Sequence, residues 1–290
     1  MVRQRIRRIS TMARPRRIKK NSLAHYHLMS RTNNRRFLFR DGKLKTELVS
    51  ALRRTAEFCG IELKAYTAMD NHFHVVVKVT KPDEPVNSAE LLRRVGVLKG
   101  EKAMRTLAER WQELSCAGFT AILEEEQNRL RARMYDISEF MKLFKETFDR
   151  IYKHDCEYCG SIWSGRFTST LVQAGEHLTR CMRYVMYNSV RAGIVAQAKD
   201  YIWSWSESEA DMQHASNEWC MKRIVQFGAG KLFGDEAFVM TMAFALGDRF
   251  RSRSVTARAV AGVGYATHGW RLAAKEEWKR RKSEGERIEK

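Results

Sequence analysis

Proline is scarce: the chain has three, all before residue 86, in 290 residues. The later chain is therefore free of helix breakers and can be strongly helical. Long apolar runs are missing as well. No stretch approaches the ~18 residues needed to cross a bilayer, so a membrane-spanning helix is not expected, and the N-terminus lacks the apolar core of a secretory signal. Acid is under-represented, with 34 Asp and Glu against 53 Lys and Arg, a net charge of +19 and a pI near 9.9. That balance calls for a polyanionic partner, nucleic acid first and an anionic membrane second. Residues 1–20 hold nine Lys or Arg and no acid, a basic arm suited to phosphate contact rather than sequence readout, or a solvated tail. The six cysteines, at 59, 116, 156, 159, 181 and 220, are too scattered for a disulfide framework and read as reduced, cytosolic thiols. Cys156-Glu-Tyr-Cys159 is a lone C-x-x-C without a second pair: a zinc half-site, a redox pair or a coincidence.

The richest stretch is Ala65-Tyr-Thr-Ala-Met-Asp-Asn-His-Phe-His-Val-Val-Val-Lys-Val79. Two apolar runs flank Met69-Asp70-Asn71, and Asp and Asn favour turns because their side chains bond their own backbone, so the stretch reads as a β-hairpin. At a strand period of two, His72 and His74 share one face while Phe73 and Val75 share the other. Two neutral imidazoles on one face make half of a metal site, or else two half-buried sheet histidines.

Leu23–Ser30 reads as a strand with its own His-x-His, His25 and His27, followed by a basic loop from Arg31 through Arg35 and Arg36. Leu44, Leu48, Ala51, Leu52 and Phe58 recur at helical spacing, and Gly60 is placed to end that helix. Pro82 and Pro85 stop the sheet. Asn87-Ser-Ala-Glu90 opens a charged helical insertion running to about residue 133. A second such start, Asp136-Ile-Ser-Glu139, leads into a stripe of Phe140, Met141, Phe144, Phe148, Ile151 and Tyr152 that should pack on the sheet. A short strand is expected over Arg166–Gln173 and a helix from Glu176 to about Tyr187. On that helix Tyr184 and Asn188 are one turn apart on the same face, with His177 and Cys181 on roughly the same stripe. A lone helical tyrosine is otherwise an ordinary core residue. The aromatic segment Asp200–Ser206 closes the domain. Beyond it the chain reads as helical and basic, with arginines interleaved among small residues from Phe250 to Arg258, as in segments that contact phosphates.

Four of these segments, in order, resemble the HUH single-tyrosine transposases, most closely the REP-associated tyrosine transposases: His27-Leu-Met-Ser-Arg31-Thr-Asn-Asn-Arg35, Met69-Asp-Asn-His72-Phe-His74, Trp163-Ser-Gly-Arg166-Phe167, and Arg183-Tyr184-Val-Met-Tyr-Asn188-Ser-Val-Arg-Ala-Gly193. Asp70 and Ser189 replace prolines of the family pattern, at positions that need only a turn or a helix end. His25 has no counterpart in the pattern and is read as a bystander.

The resemblance implies an α+β fold, a ferredoxin-like antiparallel sheet (the HUH transposase fold) with helices on one face, a helical insertion at about 86–135 and a helical C-terminal extension. It divides the chain into a basic arm (1–20), a catalytic domain (21–205) and a basic extension (206–290). It implies Tyr184 as nucleophile, His72, His74 and Asn188 as ligands of Mg²⁺ or Mn²⁺, and cleavage and rejoining of single-stranded DNA at REP-like hairpins through a 5′-phosphotyrosine. Arg16, Arg17, Arg31, Arg35, Arg36 and Arg166 are the expected DNA contacts, with structural ion pairing as the alternative. Tyr187 is the rival nucleophile, three residues on and about 60° away on the helical wheel. A cytoplasmic, nucleoid-associated protein acting as a monomer or homodimer, with no membrane partner, is expected. The rival readings are a nicking or replication-initiator enzyme with the same site, a non-catalytic hairpin-binding protein and an RNA-binding module.

Overall fold

A computed structural model describes residues 18–19, 23–156, 160–208, 232–246, 256–260 and 264–268. The basic arm with Arg16 and Arg17, Cys159 of the C-x-x-C pair, Cys220, most of the segment from Phe250 to Arg258 and the last twenty residues lie outside them.

The described chain opens as β1 (Ala24–Arg31), α1 (Gly42–Cys59), β2 (Ile61–Ala68) and β3 (His72–Val79), then runs through α2 (Ser88–Lys99), α3 (Glu101–Cys116), α4 (Thr120–Arg131), α5 (Ile137–Cys156) and β4 (Thr168–Val172). Three of the helix starts have a local cause. Asp41 accepts from the Lys43 N–H ahead of α1, Asn87 from the Glu90 N–H ahead of α2, and Asp136 from Ser138 and Glu139 at the head of α5, each relieving donors that a helix start leaves without partners. Gly60 ends α1 at φ +64°, where a side chain would also strike Arg94 and Tyr135. The expected helix starts and the C-terminal glycine are therefore where the sequence placed them.

The strand order β2-β3-β1-β4 is antiparallel throughout and, with α1 and α5 as crossovers, forms the expected ferredoxin-like α+β core. Leu44, Leu48, Leu52 and Phe58 of α1 and Phe140, Phe144 and Phe148 of α5 are buried with Leu28, Phe73, Val75 and Val77 on one face of the sheet. Truncating any of these phenylalanines to alanine costs about 3–5 kcal/mol.

Helices are not confined to that face. α6 (Glu176–Met186) covers the opposite one, where Cys181, Met182, Tyr184 and Val185 pack on Ala65, Val76 and Val172. Alternation along β1 and β3 sends the histidines to this second face, so it needs a cover of its own. A break follows at Tyr187 (φ −77°, ψ 6°), and Asn188 opens the four-residue α7 (Asn188–Arg191). Tyr184 and Asn188 thus sit on two consecutive helices rather than on one.

The aromatic segment forms edge strand β5 (Ser204–Ser206) against β2, with Trp205 stacked on Tyr66. The C-terminal region supplies α8 (Glu236–Leu246) and three further strands: β6 (Leu232–Gly234), parallel to β4, then β7 (Thr256–Val260) and β8 (Gly264–His268). The sheet thereby reaches eight strands in the order β5-β2-β3-β1-β4-β6-β8-β7. Among the described residues no helix is long and apolar enough to cross a membrane.

Candidate active site

Register places the site. Across the β1–β3 pair Arg31 faces His72, Met29 faces His74 and His27 faces Val76, so His27, Arg31, His72 and His74 all project toward α6. The hairpin that presents His72 is tied to the basic loop. The Asn71 carbonyl accepts from the Thr32 N–H at 2.9 Å and from the Thr32 hydroxyl at 3.1 Å, and the Asn71 amide donates to the Arg35 carbonyl at 3.2 Å. Asn34 and Arg35 take left-handed backbone angles (φ 52° and 55°) in this loop, a strain that persists only where surrounding bonds over-determine it. Asp70, in the turn, pairs with the buried Lys45 at 2.6 Å.

At the centre, His27 Nε2 and His74 Nδ1 are 2.8 Å apart, in rings only 4° from parallel. The His72 ring stands edge-on to His74 at 5.1 Å between centroids, and its Nδ1 is 2.7 Å from the Asn71 side-chain oxygen. Tyr184 closes the cluster from α6, edge-on to His74 at 6.0 Å and to His27 at 6.2 Å. Burial pushes the His27 imidazole down to about 3. His74 is also held well below its ordinary value, first by burial and then by the positive potential of His27, His72, Arg191 and Arg31. Both rings are therefore neutral at physiological pH, the form that offers a lone pair to a metal.

The expected residues fall into two groups. His72, His74, Tyr184 and Arg31 come together on one face. Asn188, half-buried at the head of α7, is in neither hydrogen-bond nor ring contact with the imidazoles among the described residues. Arg35 and Arg36 are exposed on the adjoining loop and Arg166 is exposed before β4. Arg36 lends its carbonyl to the Thr32 hydroxyl at 2.6 Å. The Trp163-to-Phe167 segment docks beside them: Ser164 donates to the Arg31 carbonyl at 2.9 Å, and Asn33 to the Ile162 carbonyl at 2.7 Å. Gly165, at φ +110°, permits the turn that exposes Arg166. Tyr187 is buried with Met186 and Ala198.

Two residues of the site were not singled out from the sequence. His27 sits within a quoted motif, but its partnership with His74 depends on strand register. Arg191 lies seven residues after Tyr184, two helical turns on; its guanidinium stands 4.1 Å from the Tyr184 ring centre and donates to the Tyr184 carbonyl at 2.5 Å. That seven-residue spacing was the available signal.

The imidazoles suit a divalent ion. The His72 and His74 ring centres lie 5.1 Å apart, and the Nδ1 of each is engaged, by Asn71 and by His27 respectively, so Nε2 is the nitrogen each would turn to a metal. Among the described residues no group of three or more His, Cys, Asp or Glu is placed to hold a metal, so two imidazoles are half of a coordination shell, with oxygen donors still to come.

Residues 20–116 match the family model described as "Transposase IS200 like", a span that includes His27, His72 and His74 but neither Tyr184 nor Asn188. No curated protein matches the chain. Among solved structures it is similar to a REP-associated tyrosine transposase bound to a REP hairpin, at 17% identity and TM-score 0.41 over 67% of this chain and 82% of that one. It is also similar to a candidate transposase from Deinococcus radiodurans R1, at 16% identity and TM-score 0.31 over 59% of this chain and 97% of that one. The resemblance to the IS200-like transposases is thus borne out over residues 20–116, which hold the first two of the four motifs.

Proposed function

From a chain that resembles the IS200-like transposases over residues 20–116, we propose a DNA strand transferase, with its catalytic unit within residues 21–205, that cleaves and rejoins single-stranded DNA at REP-like hairpins. The observation that carries this reading is the meeting, inside one chain, of the Tyr184 phenol with His74 and His27, beside His72 and under Arg191.

Tyr184 is the nucleophile. Its oxygen bonds to phosphorus as its proton leaves, the bond from phosphorus to the 3′ oxygen breaks, and a 5′-phosphotyrosine and a protonated 3′ hydroxyl result. Attack by another 3′ hydroxyl reverses the step and frees the tyrosine, so rejoining needs no nucleotide cofactor. Mg²⁺ or Mn²⁺ held at Nε2 of His72 and His74, with Asn188 completing the set, would polarise a non-bridging oxygen of the scissile phosphate. Arg31, on the imidazole face, and Arg191, over the nucleophile's ring, bring positive charge to where that phosphate must lie. Arg35, Arg36 and Arg166, joined by Arg16 and Arg17 of the arm, contact the flanking DNA backbone. The protein acts in the cytoplasm, on the nucleoid.

The rival reading is a hairpin-binding protein that does not cleave. End-labelled single-stranded hairpin oligonucleotides from the gene's own flanks, resolved on a denaturing gel with Mn²⁺, Mg²⁺ or EDTA, separate the two. The proposal expects a metal-dependent covalent adduct from wild type and Tyr187→Phe, and none from Tyr184→Phe or His72→Ala. Hairpin binding without cleavage under any metal would establish the non-catalytic protein, and cleavage without rejoining would mark a nicking enzyme.

A further inference from the structure

The tautomer of His72 follows from its neighbours. The Asn71 side-chain nitrogen donates to the Arg35 carbonyl at 3.2 Å, which fixes the amide's orientation and leaves its oxygen as acceptor. That oxygen lies 2.7 Å from His72 Nδ1, so Nδ1 carries the proton and Nε2 the lone pair. His74 has no such amide. Its Nδ1 is 2.8 Å from His27 Nε2, and one of these two nitrogens must donate to the other. If His27 donated, the His74 proton would sit on Nε2 and that nitrogen could not ligate.

We infer that His27 is a positioning residue whose Nε2 accepts the proton of His74 Nδ1, holding His74 in the tautomer that offers its Nε2 lone pair beside that of His72. The role rests on the reading of His72 and His74 as metal ligands, and it belongs to a group that touches neither metal nor DNA. The geometry suits it. His27 is 1% exposed and sits on β1, a strand paired on both sides, so its ring cannot drift from His74. The near-coplanar rings, 4° from parallel, align an N–H with the facing lone pair. Asn71 and His27 then perform the same task for the two ligands, one from the hairpin turn and one from the neighbouring strand, as outer partners of metal-bound imidazoles do. Tyr184 packs edge-on to both rings, so the pair that orients the ligand also forms the wall behind the nucleophile.

The test uses the full chain in two measurements. Long-range ¹H–¹⁵N correlation on ¹⁵N-histidine-labelled, metal-free wild type reads the proton position directly: a protonated Nδ1 and lone-pair Nε2 at His74 are expected, and a proton on His74 Nε2 overturns the inference. Mn²⁺ titration followed by the electron paramagnetic resonance of the free ion then compares wild type with His27→Leu and His27→Gln. Leucine fills the space without an acceptor and should weaken Mn²⁺ binding about 10- to 100-fold; glutamine keeps an acceptor oxygen and should stay within about threefold of wild type. Wild-type affinity in folded His27→Leu would reduce His27 to packing and overturn the inference. Failure of wild type itself to bind Mn²⁺ would overturn the metal reading instead, and the proton position would still decide whether His27 acts as acceptor.

Discussion

Asp149 shows how a motif residue can be held by a group that the motif does not contain. Its carboxylate accepts the Trp163 indole N–H at 2.5 Å, and Trp163 wedges between Phe73, Phe144 and Phe148 next to the end of β1 that carries Arg31. Burial raises the Asp149 pKa from its ordinary 3.8, with the Trp163 hydrogen bond and two lysines opposing. A carboxyl raised on folding favours its protonated form, so the fold loses stability as pH rises through 3.8 to the raised value, and the loss is complete above it. Asp149→Asn retains an acceptor for the indole and has no charge to bury. Its melting temperature should therefore gain on wild type between about pH 3.5 and neutrality, as thermal melts across that range would show; a constant difference would mean that Asp149 does not titrate in this window. The same scale separates what the sequence revealed from what it hid. His72 and His74 were legible because a strand's period alone puts them on one face. His27 required the register between β1 and β3, which the residues of β1 do not encode. The ion pair of Asp70 with Lys45 was equally hidden, because the turn was legible but its partner lies on α1.

The break between α6 and α7 bears on how Tyr184 and Asn188 are placed. A continuous helix was the natural reading of Glu176 to Asn188, since nothing in that stretch is a proline or glycine. Yet Tyr187 leaves helical angles (ψ 6°) and Asn188 starts anew, while the Arg191 side chain bonds the Tyr184 carbonyl. Ser189 occupies the first turn of α7, where backbone N–H groups have no intrahelical partner and proline is tolerated. Its hydroxyl reaches the Met186 carbonyl only at 3.5 Å. Ser189→Pro should therefore change stability by less than about 1 kcal/mol and keep adduct formation; a larger loss of denaturant midpoint would show that α6 runs through in solution. Elements with strong local signals, the capped helices α1, α2 and α5 and the hairpin, were legible from sequence. β6, with three residues, was not: so short a strand has no periodicity to read, and it is defined by its pairing with β4. The second helical face was missed for a related reason, since the polar histidine side of the sheet does not advertise an apolar cover.

At the scale of the molecule, the open matter is whether one chain holds a whole site. Tyr184 reaches the imidazoles of its own chain, because α6 crosses back over the sheet immediately after β4, with only Gln173, Ala174 and Gly175 between them. A protein that exchanged this helix with a partner would instead complete each site from two chains. Mixing inactive Tyr184→Phe with inactive His72→Ala tells these arrangements apart. If each chain uses its own tyrosine, every active site in the mixture lacks either nucleophile or ligand, and the labelled hairpin stays free of adduct at any ratio of the two proteins. If tyrosines are exchanged, mixed dimers hold one intact site, and adduct returns to about a quarter of the wild-type level at equal concentrations, half the dimers being mixed with one site each. The three-residue link and the direct packing of Tyr184 on His74 lead us to expect no recovery, and with it a site completed within one chain.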